Sequence, residues 1–143
     1  MSKKSPRHLA RSLAVQGLYH FKVNNTTQGQ IEEFLRNSNH NIYNAANHEL
    51  MRFLLMSGIN NFDEMLNQYN PHLNREHDQI NIIEQIILVI AAVELNNNHS
   101  VPAIVVINEA IELTKMYGAE DSYKFINGLV DKLARDIRPN EIK

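Results

Sequence analysis

Asn81-Ile82-Ile83-Glu84-Gln85-Ile86-Ile87-Leu88-Val89-Ile90-Ala91-Ala92-Val93-Glu94-Leu95 is the stretch whose reading decides the fold. Wound as a helix, it is apolar nearly all round, and such a helix belongs at the centre of a bundle. Asn81-x-x-Glu84 opens it as a capping box, and Asn96-Asn97-Asn98 ends it. Its length and the embedded Glu84-Gln85 argue against a buried parallel strand. The longest unbroken apolar run, Ile86 to Val93, is eight residues, far short of the roughly 20 that a membrane helix needs.

Downstream, Pro102 starts a helix that runs to Tyr117, with Gly118 as its stop. A last helix begins within Glu120-Asp121-Ser122, where acids suit the positive helix end. It carries Phe125, Ile126, Leu129, Val130, Leu133 and Ile137 and stops before Pro139. Upstream, Ser5-Pro6 is a helix start. Leu9, Ala10, Leu13, Ala14, Gly17, Leu18 and Phe21 fall on one arc of that helix, and Arg7, His8, Arg11, Ser12 and Tyr19 on the opposite one. Thr27-x-x-Gln30 caps a short helix, residues 36–46 read as a polar loop, and Asn47 caps a long amphipathic helix ended by Asn70-Pro71, with Gly58 as a candidate bend. The total is an all-α protein of six or seven helices. It forms a single domain over 1–143, with subdomains of about 1–70 and 71–143 divided at Asn70-Pro71.

Composition agrees with this reading. At 143 residues, 43% hydrophobic and 21% charged, the chain is of a globular kind able to bury its own core. It has no Cys, so no disulfide framework exists, which fits a reducing compartment. No apolar region after Lys3-Lys4 has the form of a signal peptide. The net charge of −2 hides an asymmetry: residues 1–31 hold Lys3, Lys4, Arg7, Arg11 and Lys22 and no acid. The rest carries nine bases against all sixteen acids, a net −7. A basic arm on an acidic body is compatible with one local phosphate site, with a merely solvated terminus, or with a transit peptide.

The search for chemistry is mostly negative. There is no phosphate-cradling glycine loop and no H-E-x-x-H. His72 and His77 are five apart, which suits no helical metal pair, so no metal or cofactor site is expected. Glu109 and Glu112 read as a solvated face, and the Asn-x-Ser/Thr matches as chance in an Asn-rich chain. Two segments stand out. Arg7 and Arg11, one turn apart, can bridge phosphates, and Tyr19 offers a stacking surface. In Glu120 to Gly128, periodicity places Phe125 in the core, and Asn127-Gly128 inside a helix suggests close packing at Gly128.

The run from Val105 to Lys115, then Tyr117 to Gly128 and Val130-Asp131-Lys132, strongly resembles the NusB family of bacterial antitermination factors. The family pattern there is close to INEAIELAK, a short gap, FG.EDSHKF.NG and LDK. Arg11 to Tyr19 resembles its RELALQALY, which removes the transit-peptide reading. The resemblance covers residues 7–21 and 81–139, while residues 22–80 look generic.

It implies an all-helical protein of two small bundles, cytoplasmic, without catalytic activity, cofactor or membrane. Such proteins bind boxA-type leader RNA with a small-subunit ribosomal protein in its NusE role. The complex joins RNA polymerase and favours processive transcription of ribosomal RNA operons. Carried over by position, Arg7 and Arg11 belong to the RNA-binding arm, which Lys3 and Lys4 extend by their charge, and Asp121, Lys124 and Phe125 border the RNA. Tyr19 and Glu84 face the NusE partner. The arm is sparser than the family's, with His8 and Leu9 between Arg7 and Arg11. The alternative is a protein adaptor that binds no RNA. A NusB-like domain also occurs fused to RNA cytosine methyltransferases, but no cofactor-binding region precedes Lys143 here.

Overall fold

A computed structural model describes residues 4–74 and 79–142. Among them are seven α-helices: α1 Pro6–Asn24, α2 Gln28–Ser38, α3 His40–Ala45, α4 His48–Asn67, α5 Ile82–Asn97, α6 Ala103–Tyr117 and α7 Ser122–Ile137. A 3-10 turn, Asn70–His72, follows α4. Most of the expected starts are made by the expected caps. His8 N donates to Ser5 Oγ (3.1 Å), Leu50 N to Asn47 Oδ1 (2.9 Å), and both capping boxes are complete.

The polar stretch 36–46 is not a loop. α2 continues to Ser38, and Asn39 both ends α2 and caps α3 by accepting from Ile42 N (3.2 Å). Asn is a strong cap, so a polar run can still be helical when its ends are satisfied. Buried Tyr43 holds α3 down, its ring 4.4 Å from that of His48 and 5.3 Å from the Arg36 guanidinium.

The chain divides into two compact units at Asn60/Asn61, not at Asn70-Pro71. The break within α4 falls at Asn61 (φ −130°, ψ 26°), not at Gly58. In the first unit Gly58 is a packing position: a Cβ there would lie 2.8 Å from Leu18 Cδ1. Gly17 is its counterpart on α1, where a Cβ would lie 2.5 Å from Leu55 Cδ2. The two glycines let α1 and α4 approach until each receives the other's leucine. Asn47 N also donates to Pro6 O (3.0 Å), tying the start of α4 to the start of α1.

The boundary lies upstream because residues 62–69 serve the second core. Phe62, Met65, Leu66 and Tyr69 are buried, Tyr69 donates its hydroxyl to Leu88 O (2.7 Å), and Asn96 Nδ2 donates to Gln68 Oε1 (2.8 Å). At the centre of this unit lies α5, packed by α6 and α7, with every residue from Ile86 to Leu95 buried. Each large aliphatic side chain so buried contributes about 1.5–3 kcal/mol. Gly118 stops α6 without a left-handed turn (φ −91°). Its hydrogen serves closeness instead, since a Cβ would lie 2.8 Å from Thr114 O.

The C-terminal residues fasten this unit. The buried Arg138 guanidinium donates to the carbonyls of Leu95 (3.1 Å), Glu94 (2.9 Å), Asn98 (3.0 Å) and Val101. Those groups include the orphan acceptors at the end of α5. Glu141 Oε1 accepts from Ala103 N (2.8 Å), supplying the start of α6 with the cap that Pro102 lacks.

Candidate nucleic-acid interface

The N-terminal arm is thinner than its sequence. Lys4 and Arg7 are exposed, and Lys3 lies outside the described residues. Arg11, however, is only 3% exposed, and its neighbours His8 and Ser12 are buried with it. The arc opposite Leu13 and Leu18 is therefore not a uniform solvent face, and Arg7 and Arg11 do not present a pair of guanidinium groups. Periodicity failed here because a helix covered on more than one side buries polar positions too. Tyr19 is 42% exposed, outside the core as its position on the wheel implies. It sits twelve residues from Arg7, about 18 Å along α1, so the two belong to separate patches.

Glu84 does not stand out to meet a partner. It is 5% exposed, and its carboxylate accepts from Asn81 N (3.2 Å) as half of the capping box at the start of α5.

The opening of α7 gathers more of the expected residues. Asp121 precedes the helix in the left-handed conformation (φ 72°), and its side chain makes no cap bond. Its carboxylate instead lies 3.9 Å from Lys124 Nζ, both groups being well exposed. Asp121 therefore stands at the N-cap position without capping the helix through its side chain. Tyr123 lies under two ammonium groups, Lys115 at 5.0 Å and Lys124 at 6.0 Å from its ring centre.

Phe125 is half-buried rather than core. With Lys124, Gly128, Leu129 and Lys132 of α7 and His72 and Asn74 after α4, it lines an open cavity of about 540 Å³. His72 is held at that cavity by its bond to Asp136. Among the described lining residues there is no carboxylate. The expected close packing at Gly128 is also corrected. The glycine is exposed, and a Cβ there would meet nothing within 4 Å.

Lys132, Gly128, His72 and Asn74 escaped the sequence reading as site residues. The last two lie some fifty residues from α7, and only Gly128 carried a signal, as a helix-interior glycine. No group of three or more His, Asp or Glu among the described residues is arranged to hold a metal. What the arrangement offers is cations beside aromatic faces around a cavity, which is a chemistry of binding.

The NusB family model matches residues 8–135. A Burkholderia vietnamiensis protein named transcription antitermination protein NusB is 40% identical over 139 residues, covering 97% of this chain and 94% of its own. A Burkholderia cenocepacia protein of the same name matches at the same identity and coverage. Among solved structures, NusB of T. maritima superposes with a TM-score of 0.76 over 97% of both chains at 23% identity, a likeness of fold.

Proposed function

The chain belongs to the NusB family, and on that footing we propose that it acts in transcription antitermination as an RNA-binding factor, not an enzyme. Its ligand is single-stranded leader RNA of the boxA type, held together with a small-subunit ribosomal protein in the NusE role, within the antitermination complex of RNA polymerase. The observation that carries this reading is the face of α7, where Lys124, Phe125 and Lys132 surround a cavity and Tyr123 lies beneath two lysines. Single strands are held by cations on the phosphates and by stacking of unpaired bases on aromatic rings. Lys4 and Arg7 add positive charge at the start of α1. Tyr19, exposed on the same helix, is the residue offered to the protein partner. The work takes place in the cytoplasm, and no helix among the described residues is long and apolar enough to cross a membrane.

Burial of Arg11 favours one competing reading, in which the protein is an adaptor that meets its partner and never touches RNA. Electrophoretic mobility of a boxA-type RNA, with and without the ribosomal partner, separates the two. A shifted RNA band that needs this protein supports the proposal. Partner binding with no RNA shift in either arm makes the adaptor the better account. Tyr19→Asp should abolish partner binding and leave the melting temperature within about 1–2 °C, as expected of a surface change.

A further inference from the structure

The outer face of α6 differs from the rest of the second unit's surface. Among the described residues of that unit, the exposed large apolar side chains are Ile104 (58%), Val105 and Met116 (49%), and all three belong to α6. The helix already buries Val106, Ile107, Ala110 and Leu113 on its other side, where α5 and α7 pack. Ile104, Asn108, Glu112 and Met116 recur at four-residue spacing, so they form one ridge about 18 Å long. Its ends are apolar and its middle is polar and acidic. Glu112 is exposed, and its carboxylate enters no ion pair among the described residues. Lys115, on the flank of the ridge, holds its ammonium over the Tyr123 ring, 5.0 Å from the centre.

We infer that this ridge docks a basic, amphipathic helix of another protein, whose apolar side chains cover Ile104, Val105 and Met116 while a Lys or Arg between them meets Glu112. The inference goes beyond the RNA-binding reading and does not rest on it. Apolar side chains gathered on one exposed face mark an interaction surface, whereas single scattered ones do not. A ridge of four-residue spacing also fits the groove between such rows on a second helix. Charge selects the occupant. A carboxylate covered by a partner must be met by a cation, or its burial costs more than the apolar contacts return. The chain from Glu32 onward carries a net −7, which draws a basic partner from a distance. A second copy of this chain fits worse. An antiparallel two-fold pairing that sets Val105 against Met116 of the other copy also sets Glu109 against its Glu112, carboxylate to carboxylate. Nucleic acid is repelled by the same acids.

The test uses the full chain and a fluorescein-labelled peptide of leucine and lysine, about 27 Å long as a helix, with its leucines along one face. A second peptide carries glutamate in place of lysine. Fluorescence anisotropy should show binding of the lysine peptide, weakened by salt, and none of the glutamate peptide. Amide shifts of the labelled protein should change along α6. Ile104→Asp and Met116→Asp should each weaken binding by about 10- to 150-fold, the worth of one buried aliphatic side chain. Glu112→Lys should weaken it by about 2- to 10-fold, as expected of a reversed surface pair. All three variants should melt within about 1–2 °C of the wild type, since the changed side chains are exposed. Ile104→Gln is the milder variant to read if Ile104→Asp disturbs the start of α6.

Unchanged peptide affinity in the folded Ile104 and Met116 variants overturns the inference, because the peptide then sits elsewhere on the acidic body. Equal binding of the two peptides overturns it as well, by showing that the face does not read charge. Sedimentation provides the last check. A wild-type dimer that Ile104→Asp turns into a monomer would give the ridge to a second copy and not to a basic partner.

Discussion

Replacing Arg138 by alanine should be the most damaging single change in the second unit. The residue is 4% exposed, and its guanidinium donates to four main-chain carbonyls spread from Glu94 to Val101. Hydrogen bonds from a charged group contribute about 1.5–3 kcal/mol each. Four of them added naively would reach about 6–12 kcal/mol, comparable with the whole stability of a domain. The sum overstates the effect, because water can enter the vacated space and reach carbonyls near the chain surface. Each carbonyl left unsatisfied away from water costs about 1–3 kcal/mol, so with two such groups the expected destabilisation is about 2–6 kcal/mol. Arg138→Lys should recover only part of it, since one ammonium cannot span four acceptors as a planar fork does. The assay is urea unfolding followed by circular dichroism and by tyrosine fluorescence, because two units need two probes. A loss below about 1 kcal/mol for Arg138→Ala would refute the reasoning. It would mean that the end of α5 is equally well served by solvent.

Three further outcomes follow from the placement of single side chains. Arg7→Ala should leave melting unchanged and flatten the salt dependence of RNA binding by about 0.7 in slope, whereas buried Arg11→Ala should lower stability by more than about 1 kcal/mol; salt titrations and melts of both variants decide it, and the reverse pattern would return Arg11 to the arm. Asp121→Asn should change stability by less than about 0.5 kcal/mol, since no cap is lost and Asn tolerates the left-handed conformation, while RNA titration should show tighter binding once the charge beside Lys124 is gone; unchanged affinity would move the RNA away from the start of α7. Burial pushes the Tyr69 phenol well above its ordinary value near 10, so the stability it contributes is complete below about pH 10 and falls as pH rises further, when only the unfolded chain ionises. Alkaline unfolding should therefore be shallower in Tyr69→Phe, and equal slopes would place the phenol in water.

The sequence by itself determined six of the seven helices and their order, α3 lying in the stretch read as a polar loop. Caps are local, so Ser5, Thr27, Asn47 and Asn81 could be read from two or three neighbours, and each makes the bond its position implies. The central place of α5 was legible for the same kind of reason: a helix apolar on every side has nowhere else to go. The motif from Tyr117 to Lys132 pointed to the family before any fold was seen. What periodicity could not weigh was the number of sides from which a helix is covered. Arg11 read as a surface residue from its arc of α1, and Glu84 as a partner-facing one from the resemblance, yet both are buried.

Tertiary structure alone decided which distant residues meet. Arg138 lies some forty residues from the carbonyls it holds, and Tyr69 nineteen from Leu88, whose oxygen accepts its hydrogen bond and draws the end of α4 into the second unit. The candidate site is divided in the same way. Lys124 and Phe125 were readable along α7, but His72 and Asn74 reach the cavity only because the turn after α4 folds onto that helix. Gly128 shows the limit most clearly, since a helix glycine looks the same in sequence whether it admits a leucine or leaves a cavity open. The difference is the presence or absence of atoms within 4 Å, which only the packed chain supplies.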